Sequence, residues 1–309
     1  MLEGSRAETG ALVLEREMLP PRRALWRTAL ILAIRKPLGT VSAIIIVVMV
    51  AAAVLAPMVA RYDPEDSFWV YDEALGREMS IDKAPPSGAH WLGTDDMGRD
   101  TYSRIVWGSQ RSLQIGLLSL LMGTVIGVAL AFMSAYGRGN FDLFFQRIMD
   151  AFQAFPPLLF LMLMVTITDP TVPWLIIALG VVSVPSVSRI VRSVILQTRE
   201  MPYVEAARAI GASAPRIMVR HILPNITAPI IIVFSIGIGV VILAEASLSF
   251  LGLGPPGVSW GEMLNIGRLF VTTSPWQALF SGMAITLAVL AFNLAGDALR
   301  DILDPRLRI

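Results

Sequence analysis

The stretch Tyr203–Asn225, YVEAARAIGASAPRIMVRHILPN, decides how the rest of the chain is read. It lies between two long apolar runs but is too polar and too interrupted to cross a membrane. Its pattern predicts a short helix over Val204–Ile210, with Gly211 placed as a C-terminal glycine. A second short helix is expected from about Ser213, with Pro215 in its first turn, ending before Pro224. Two short helices joined by a glycine form a compact knob that can lie across the end of a helical bundle. Ala206, Ala207 and Ala209 are small enough to let another protein surface approach. A helix lying on lipid would instead carry Trp, Phe or Leu on its apolar face. An interfacial helix or a plain connector remains the alternative reading of these residues alone.

Working outward, the chain has 309 residues, 55% of them hydrophobic and only 16% charged. Soluble domains carry roughly 25% charged residues, so this is a membrane composition. The net charge of +1 gives no reason to expect a nucleic-acid partner. With no cysteine there is neither disulfide nor thiolate chemistry, and two histidines, His90 and His221, are too few for a self-contained metal cage. Lys36 and Lys83 are the only lysines, and neither follows the glycine of a phosphate-binding loop. Any ATP that drives this protein must be bound by another chain.

Six uncharged runs are expected to span the bilayer: Leu38–Ala60, Leu113–Tyr136, Ala151–Thr168, Pro170–Ser188, Ile222–Ala244 and Leu269–Gly296. The first follows the basic cluster Arg22, Arg23, Arg27, Arg35 and Lys36. It exceeds the 7–15 residues of a cleaved signal's apolar region and reads as a retained anchor. The expected organisation is therefore a segment 1–37, an anchor span 38–60, an outer segment 61–112, and a five-helix core 113–309 with a loop at about 189–221. Pro157, Pro185 and Pro229 mark possible kinks, tolerated where neighbouring helices cover the freed carbonyls. In the second span Ser119, Gly123, Gly127, Ala131 and Ala135 recur every four residues and form one small-residue stripe. Packing within the subunit is the preferred use for it.

Six spans place both termini on one side. Segments on that side hold 18 Lys and Arg residues against 7 on the other. The excess puts both termini and the 189–221 loop in the cytoplasm. The span interiors hold no ionisable residue; Asp150, Glu245 and Asp297 sit at boundaries. That argues against an ion-coupled carrier, because such carriers commonly place charges at depth. Both histidines fall outside the spans, which disfavours an intramembrane serine protease. In the outer segment Asp95, Asp96 and Asp100 lack the alternating ligand positions of a calcium loop; Asp100 is instead suited to capping the helix that leads into the second span.

The residues Glu205-Ala206-Ala207, then Gly211, then Leu223-Pro224 resemble the EAA loop of ABC importer membrane subunits. His221 stands where the general pattern has Ile, and His221-Ile222-Leu223-Pro224-Asn225 is similar to the dipeptide, oligopeptide and nickel branch. GTDDMGRD (Gly93–Asp100) with Ser103-Arg104 and Arg111-Ser112-Leu113 resembles the same branch. So do AEASLSFLGLG (Ala244–Gly254) with Ser259-Trp260-Gly261, and the tail GDALRDILDPRLR (Gly296–Arg308).

The resemblance implies an all-α polytopic fold, the type I ABC importer transmembrane domain, with an extra N-terminal anchor helix. It implies a non-catalytic permease in a bacterial or archaeal plasma membrane that imports dipeptides, oligopeptides or nickel chelate by alternating access. The implied partners are a second, related permease chain, two ATP-binding subunits holding ATP and Mg, and an extracytoplasmic substrate-binding protein. It further implies that Glu205 holds the ATPase groove, Ala206 and Ala207 permit a close fit, Gly211 sets the bend, and Leu223 and Pro224 fix the return into the fifth span. The segment 245–268 is expected to be a gate, a docking surface or a packed outer loop. A self-sufficient carrier or channel is the competing reading, and it predicts transport by this chain alone.

Overall fold

The structure, a computed structural model, describes residues 37–72, 77–137 and 139–303. The expectations for the first 36 residues and for the last six lie outside it. Helix α1 (Pro37–Val54) breaks at Leu55 into the single turn α2 (Ala56–Val59). The chain then forms an antiparallel pair, β1 (Trp69–Asp72) with β2 (Arg77–Ser80), paired Trp69 to Ser80 and Asp72 to Arg77.

Helix α3 (Thr101–Gly137) runs 37 residues without a break, so the boundary expected at residue 112 falls inside a helix. Asp100 caps it: one carboxylate oxygen accepts the Ser103 N–H at 2.8 Å and the Ser103 hydroxyl at 2.8 Å. This is the cap that the sequence predicted.

The third expected span takes a different form. Ala151–Ala154 close an amphipathic helix α4 (Asn140–Ala154), the chain turns by 85° at Phe155-Pro156, and α5 (Pro157–Ile167) has only 11 residues. At 1.5 Å per residue α5 reaches about 16 Å, roughly half of a bilayer's hydrocarbon thickness. The physical cause is Pro156-Pro157, which removes two consecutive N–H donors and starts a new helix at Pro157. Among the described residues five helices are thus long and apolar enough to cross a membrane, or six if the bent pair counts as one span.

Helix α6 (Val172–Thr198) extends ten residues past the predicted end of its span, and Pro185 lies buried inside it. After the loop described below, α9 (Leu223–Phe250) continues through Glu245, six residues beyond the expected boundary. The loop after α9 carries α10 (Trp260–Gly267), started by the Ser259 hydroxyl accepting the Glu262 N–H at 3.2 Å. Helix α11 (Trp276–Leu303) is the last described element. The expected span over Leu269–Gly296 is shifted, because 268–270 is a single 3-10 turn.

The small-residue stripe is used inside the chain, along the contact between α3 and α6. A Cβ on Gly123 would stand 2.6 Å from the Gly180 carbonyl oxygen, and one on Gly127 would stand 2.9 Å from Val187. Packing of this kind, rather than the hydrophobic effect, holds helices together in lipid. Two buried clusters result. One surrounds Ile115, Leu120, Leu161, Leu179 and Ile242 in mid-bundle; the other surrounds Ala131, Val191, Ile195, Val204 and Ile222 at the loop end.

Candidate functional site

The loop at residues 199–222 forms a knob closing one end of the bundle. Helix α7 (Pro202–Ala209) begins with Pro202, whose missing N–H costs nothing at a helix start. Glu205 in its first turn and Arg208 in its last both complement the helix dipole. The helix ends in a two-bond reversal. The Gly211 N–H donates to the Arg208 carbonyl at 3.0 Å, and the Ala212 N–H donates to the Ala207 carbonyl at 3.1 Å. Gly211 carries this turn at φ +81°, in the left-handed region that favours glycine.

Helix α8 (Ala214–Ile217) follows, with Pro215 in its first turn as expected. It does not stop before Pro224. A five-residue π-turn, Met218–Ile222, joins it to α9 as one continuous rod, with the Leu223 N–H reaching back to the Met218 carbonyl. The wider turn accommodates Pro224, which has no N–H to give and sits in the first turn of α9. Leu223 and Pro224 therefore continue a helix rather than redirect the chain. The Asn225 amide donates to the His221 carbonyl at 2.6 Å, in the region where Pro224 offers no backbone bond.

The two faces of the knob differ. Val204, Ala207, Ile217 and Ile222 are buried against Ala131 and Ala135 of α3 and Val187–Ile195 of α6. Ala207, expected beside Ala206 on a docking surface, instead points into this core. The reason is helical spacing, since Val204 and Ala207 share the inward face three residues apart. Glu205, Ala206, Arg208, Gly211, Arg216 and Arg220 face outward, Pro224 is exposed on the helix above, and Leu223 is half-buried. At the tip stands Ile210, 86% exposed. It follows the last residue of α7 and stands three residues on from buried Ala207, so helical spacing does not mark it as outward. The knob is fastened to the bundle by Arg199, whose guanidinium donates to the Ala135 carbonyl at 2.9 Å. The knob is thus packed on the bundle by one face and exposes Ile210 and three arginines, Arg208, Arg216 and Arg220, on the other.

Between α5, α6 and α9 lies a cavity of about 650 Å³, walled by aliphatic side chains such as Leu158, Val182 and Val240 together with Ser183, Ser186 and Ser247. Among the described residues none that lines it is charged. Sequence reasoning named none of these positions, because a serine among aliphatics in a span carries no motif.

At the opposite end, Asp95 and Asp100 are engaged by protein donors. Asp95 accepts from the Met97 and Arg99 N–H groups, each at 2.9 Å, and from the Arg99 side chain at 2.7 Å. Asp100 is 2.9 Å from His90 Nδ1. Among the described residues no cluster of three or more His, Asp or Glu side chains is arranged to hold a metal ion. Instead Asp95 of GTDDMGRD lies 3.5 Å from Arg104, and this arginine works as a lock. Fully buried Arg104 donates to the Pro64 carbonyl at 2.9 Å and to Glu262 of α10 at 3.3 Å, joining the chain at Pro64 to the α10 loop. Burial pushes the Glu262 carboxyl up, with Arg104 opposing it. Glu245, also fully buried, accepts the Ser249 hydroxyl at 2.9 Å and the Ser112 hydroxyl at 3.2 Å, which ties α9 to α3.

The family model of the binding-protein-dependent transport system inner membrane component matches residues 123–309. The chain belongs to this family. It is a membrane-spanning permease subunit of the ABC importer class. Residues 24–86 of this permease also match the N-terminal transmembrane domain of oligopeptide transport permease C. It is 38% identical to the glutathione transport system permease protein GsiD of Pectobacterium atrosepticum, covering 96% of this chain and 95% of the relative. It is 38% identical to the dipeptide transport system permease protein DppC of Alkalihalophilus pseudofirmus, covering 92% and 90%. A putative peptide transport system permease protein of Brucella suis is 43% identical, covering 86% of this permease and 87% of the relative. Among solved structures, the inward-facing MetNI methionine ABC transporter superposes with a TM-score of 0.55 at 21% identity. The match covers 65% of this permease and 97% of that chain, and it shows the shared fold.

Proposed function

We propose that this permease is the membrane half of an ATP-driven importer of small peptides or glutathione-like solutes, and that the α7–α8 knob is where ATP-driven motion enters it. The observation that carries the reading is the knob itself: Ile210 stands out from a surface whose opposite face is packed into the bundle. An isoleucine held this far into water fits an apolar notch on a partner. Glu205, Arg208, Arg216 and Arg220 supply charge-assisted contacts around it. Gly211 sets the bend between the two short helices.

On this reading two ATP-binding subunits close on ATP and Mg and push the knobs. A second, related permease chain completes the path, and the cavity between α5, α6 and α9 forms this subunit's share of it. An aliphatic wall with a few hydroxyls and no charge accepts peptides of varied side chains, leaving their selection to an extracytoplasmic binding protein. ATP hydrolysis belongs to the partners. The arginine and lysine distribution supports a cytoplasmic knob and cytoplasmic termini. The names of the relatives support a peptide-type substrate.

The test is purification of the full chain from its native membrane in mild detergent, with mass spectrometry of the co-purifying proteins and their bound small molecules. Nucleotide-binding chains together with a peptide-loaded binding protein are expected. Recovery of this chain alone, under conditions that keep other such complexes intact, would overturn the reading in favour of a self-sufficient carrier.

A further inference from the structure

Helix α4 has a face that neither the knob nor the cavity uses. Phe141, Phe144, Ile148, Phe152 and Phe155 recur at helical spacing along one side, continuing one residue past the helix end. The four phenylalanines are 41–64% exposed. The opposite side is bound to the bundle. Asp142 pairs with Arg192 of α6, the Gln146 amide donates to Ser134 at 3.1 Å, Met149 is buried, and Asp150 meets Arg189 at 2.7 Å. The aromatic stripe is therefore held facing away from the bundle in a fixed direction.

Three observations say what covers it. The helix leaves α5 at 85°, so it lies nearly flat in the membrane plane if α5 runs along the bilayer normal. The stripe is on the side from which α5 departs, since the Phe152 ring meets Phe160 of α5 edge-on at 5.8 Å. Charge is complementary to lipid headgroups. Both acids of the helix are engaged by arginines of α6, while exposed Arg147 sits one turn along from Phe144, beside the stripe.

We propose that α4 is an interfacial helix, its Phe141–Phe144–Ile148–Phe152–Phe155 stripe buried among the acyl chains of the leaflet nearest the knob, with Arg147 at the level of the phosphates. Helices with these features bind the headgroup–acyl boundary. The position follows from Arg199 and Ala135, which tie the knob to the same end of α3 that leads into α4. The small cavity of about 270 Å³ between Phe152, Phe155, Phe160 and Val182 gives a chain end somewhere to enter. The proposal rests on the proposed function only for naming this the cytoplasmic leaflet.

The absence of cysteine allows a direct test. Single cysteines at positions 141, 144, 148 and 152, and at Leu143 and Ala154 on the water-facing side, are spin-labelled in the full chain purified with its partners. The complex is reconstituted in phosphatidylcholine vesicles containing a minority of phosphatidylglycerol. Collision with oxygen, which concentrates in acyl chains, is compared with collision with water-soluble chromium oxalate. The oxygen-to-chromium ratio is expected to be several-fold higher along the stripe than at the two control positions. A higher chromium than oxygen collision rate on the stripe would overturn the proposal in favour of a cytosolic surface. Low collision with both would overturn it in favour of a protein partner. Either result is independent of whether ATP-binding subunits are the knob's partners.

Discussion

Replacing Gly211 with valine isolates the role of the knob's shape. A Cβ at this position meets no atom within 4 Å, so the substitution creates no clash and disturbs no core contact. Its whole effect is on the backbone, which sits at φ +81°. An L-residue there costs about 1–2 kcal/mol, and a β-branched one lies at the unfavourable end. That energy is comparable to the two reversal bonds it threatens, from Gly211 to Arg208 and from Ala212 to Ala207. It is enough to lower the population of the native turn by a factor of about 5–30 where another loop geometry competes. Gly211→Val should therefore insert and accumulate like the native chain. In membrane vesicles holding the complete transporter, uptake should fall by up to that factor while ATP hydrolysis continues. Gly211→Asn should stay close to native, because asparagine tolerates the left-handed region. Unchanged uptake in Gly211→Val, with hydrolysis still tied to transport, would refute the reasoning.

Other outcomes follow from the same structure. Gly123→Val puts a side chain against the Gly180 carbonyl and should lower thermal stability by about 1–3 kcal/mol or more, measurable by fluorescence-detected gel filtration after heating. Arg104→Met removes the buried cation that joins Pro64 to Glu262 and leaves nearby Asp95 with one cationic partner fewer; a cost of about 3–5 kcal/mol should appear as faster proteolysis within residues 61–100. Because burial raises the Glu262 carboxyl, the folded state keeps a proton that the unfolded chain gives up. Stability should thus fall as pH rises from the ordinary glutamate range through the raised value, and Glu262→Gln should flatten that slope in thermal melts.

The knob was legible because its signals are local: proline at a helix start, glycine at the reversal, and a polar stretch between apolar runs. The long helices were legible because a run without charge has few alternatives in a bilayer. What escaped depends on neighbours. Hydropathy averages over Phe155-Pro156 and cannot show the 85° turn there, since Pro157 fits a kink as well as a fresh helix start. Pro224 reads as a stop in isolation, yet a π-turn supported by the buried Ile217 and Ile222 carries the helix through it. Glu245 looked like a boundary residue because a glutamate in lipid is costly; hydroxyls from Ser112, 133 positions earlier, and Ser249 make it an interior one. Ile210 and Ala207 exchanged the roles that residue type alone assigns them. The alanine is inside because α7 turns it toward the bundle, and the isoleucine is outside just past the helix end.

The central claim is that the tip of the knob touches an ATP-binding subunit. Ile210→Cys gives the chain a single thiol at that tip, which can carry a benzophenone photocrosslinker in native membranes. Illumination followed by mass spectrometry should return a covalent adduct between position 210 and a nucleotide-binding chain, with its yield changing when ATP is added. An adduct with lipid alone, or no protein adduct from an assembled and transport-active complex, would contradict the account.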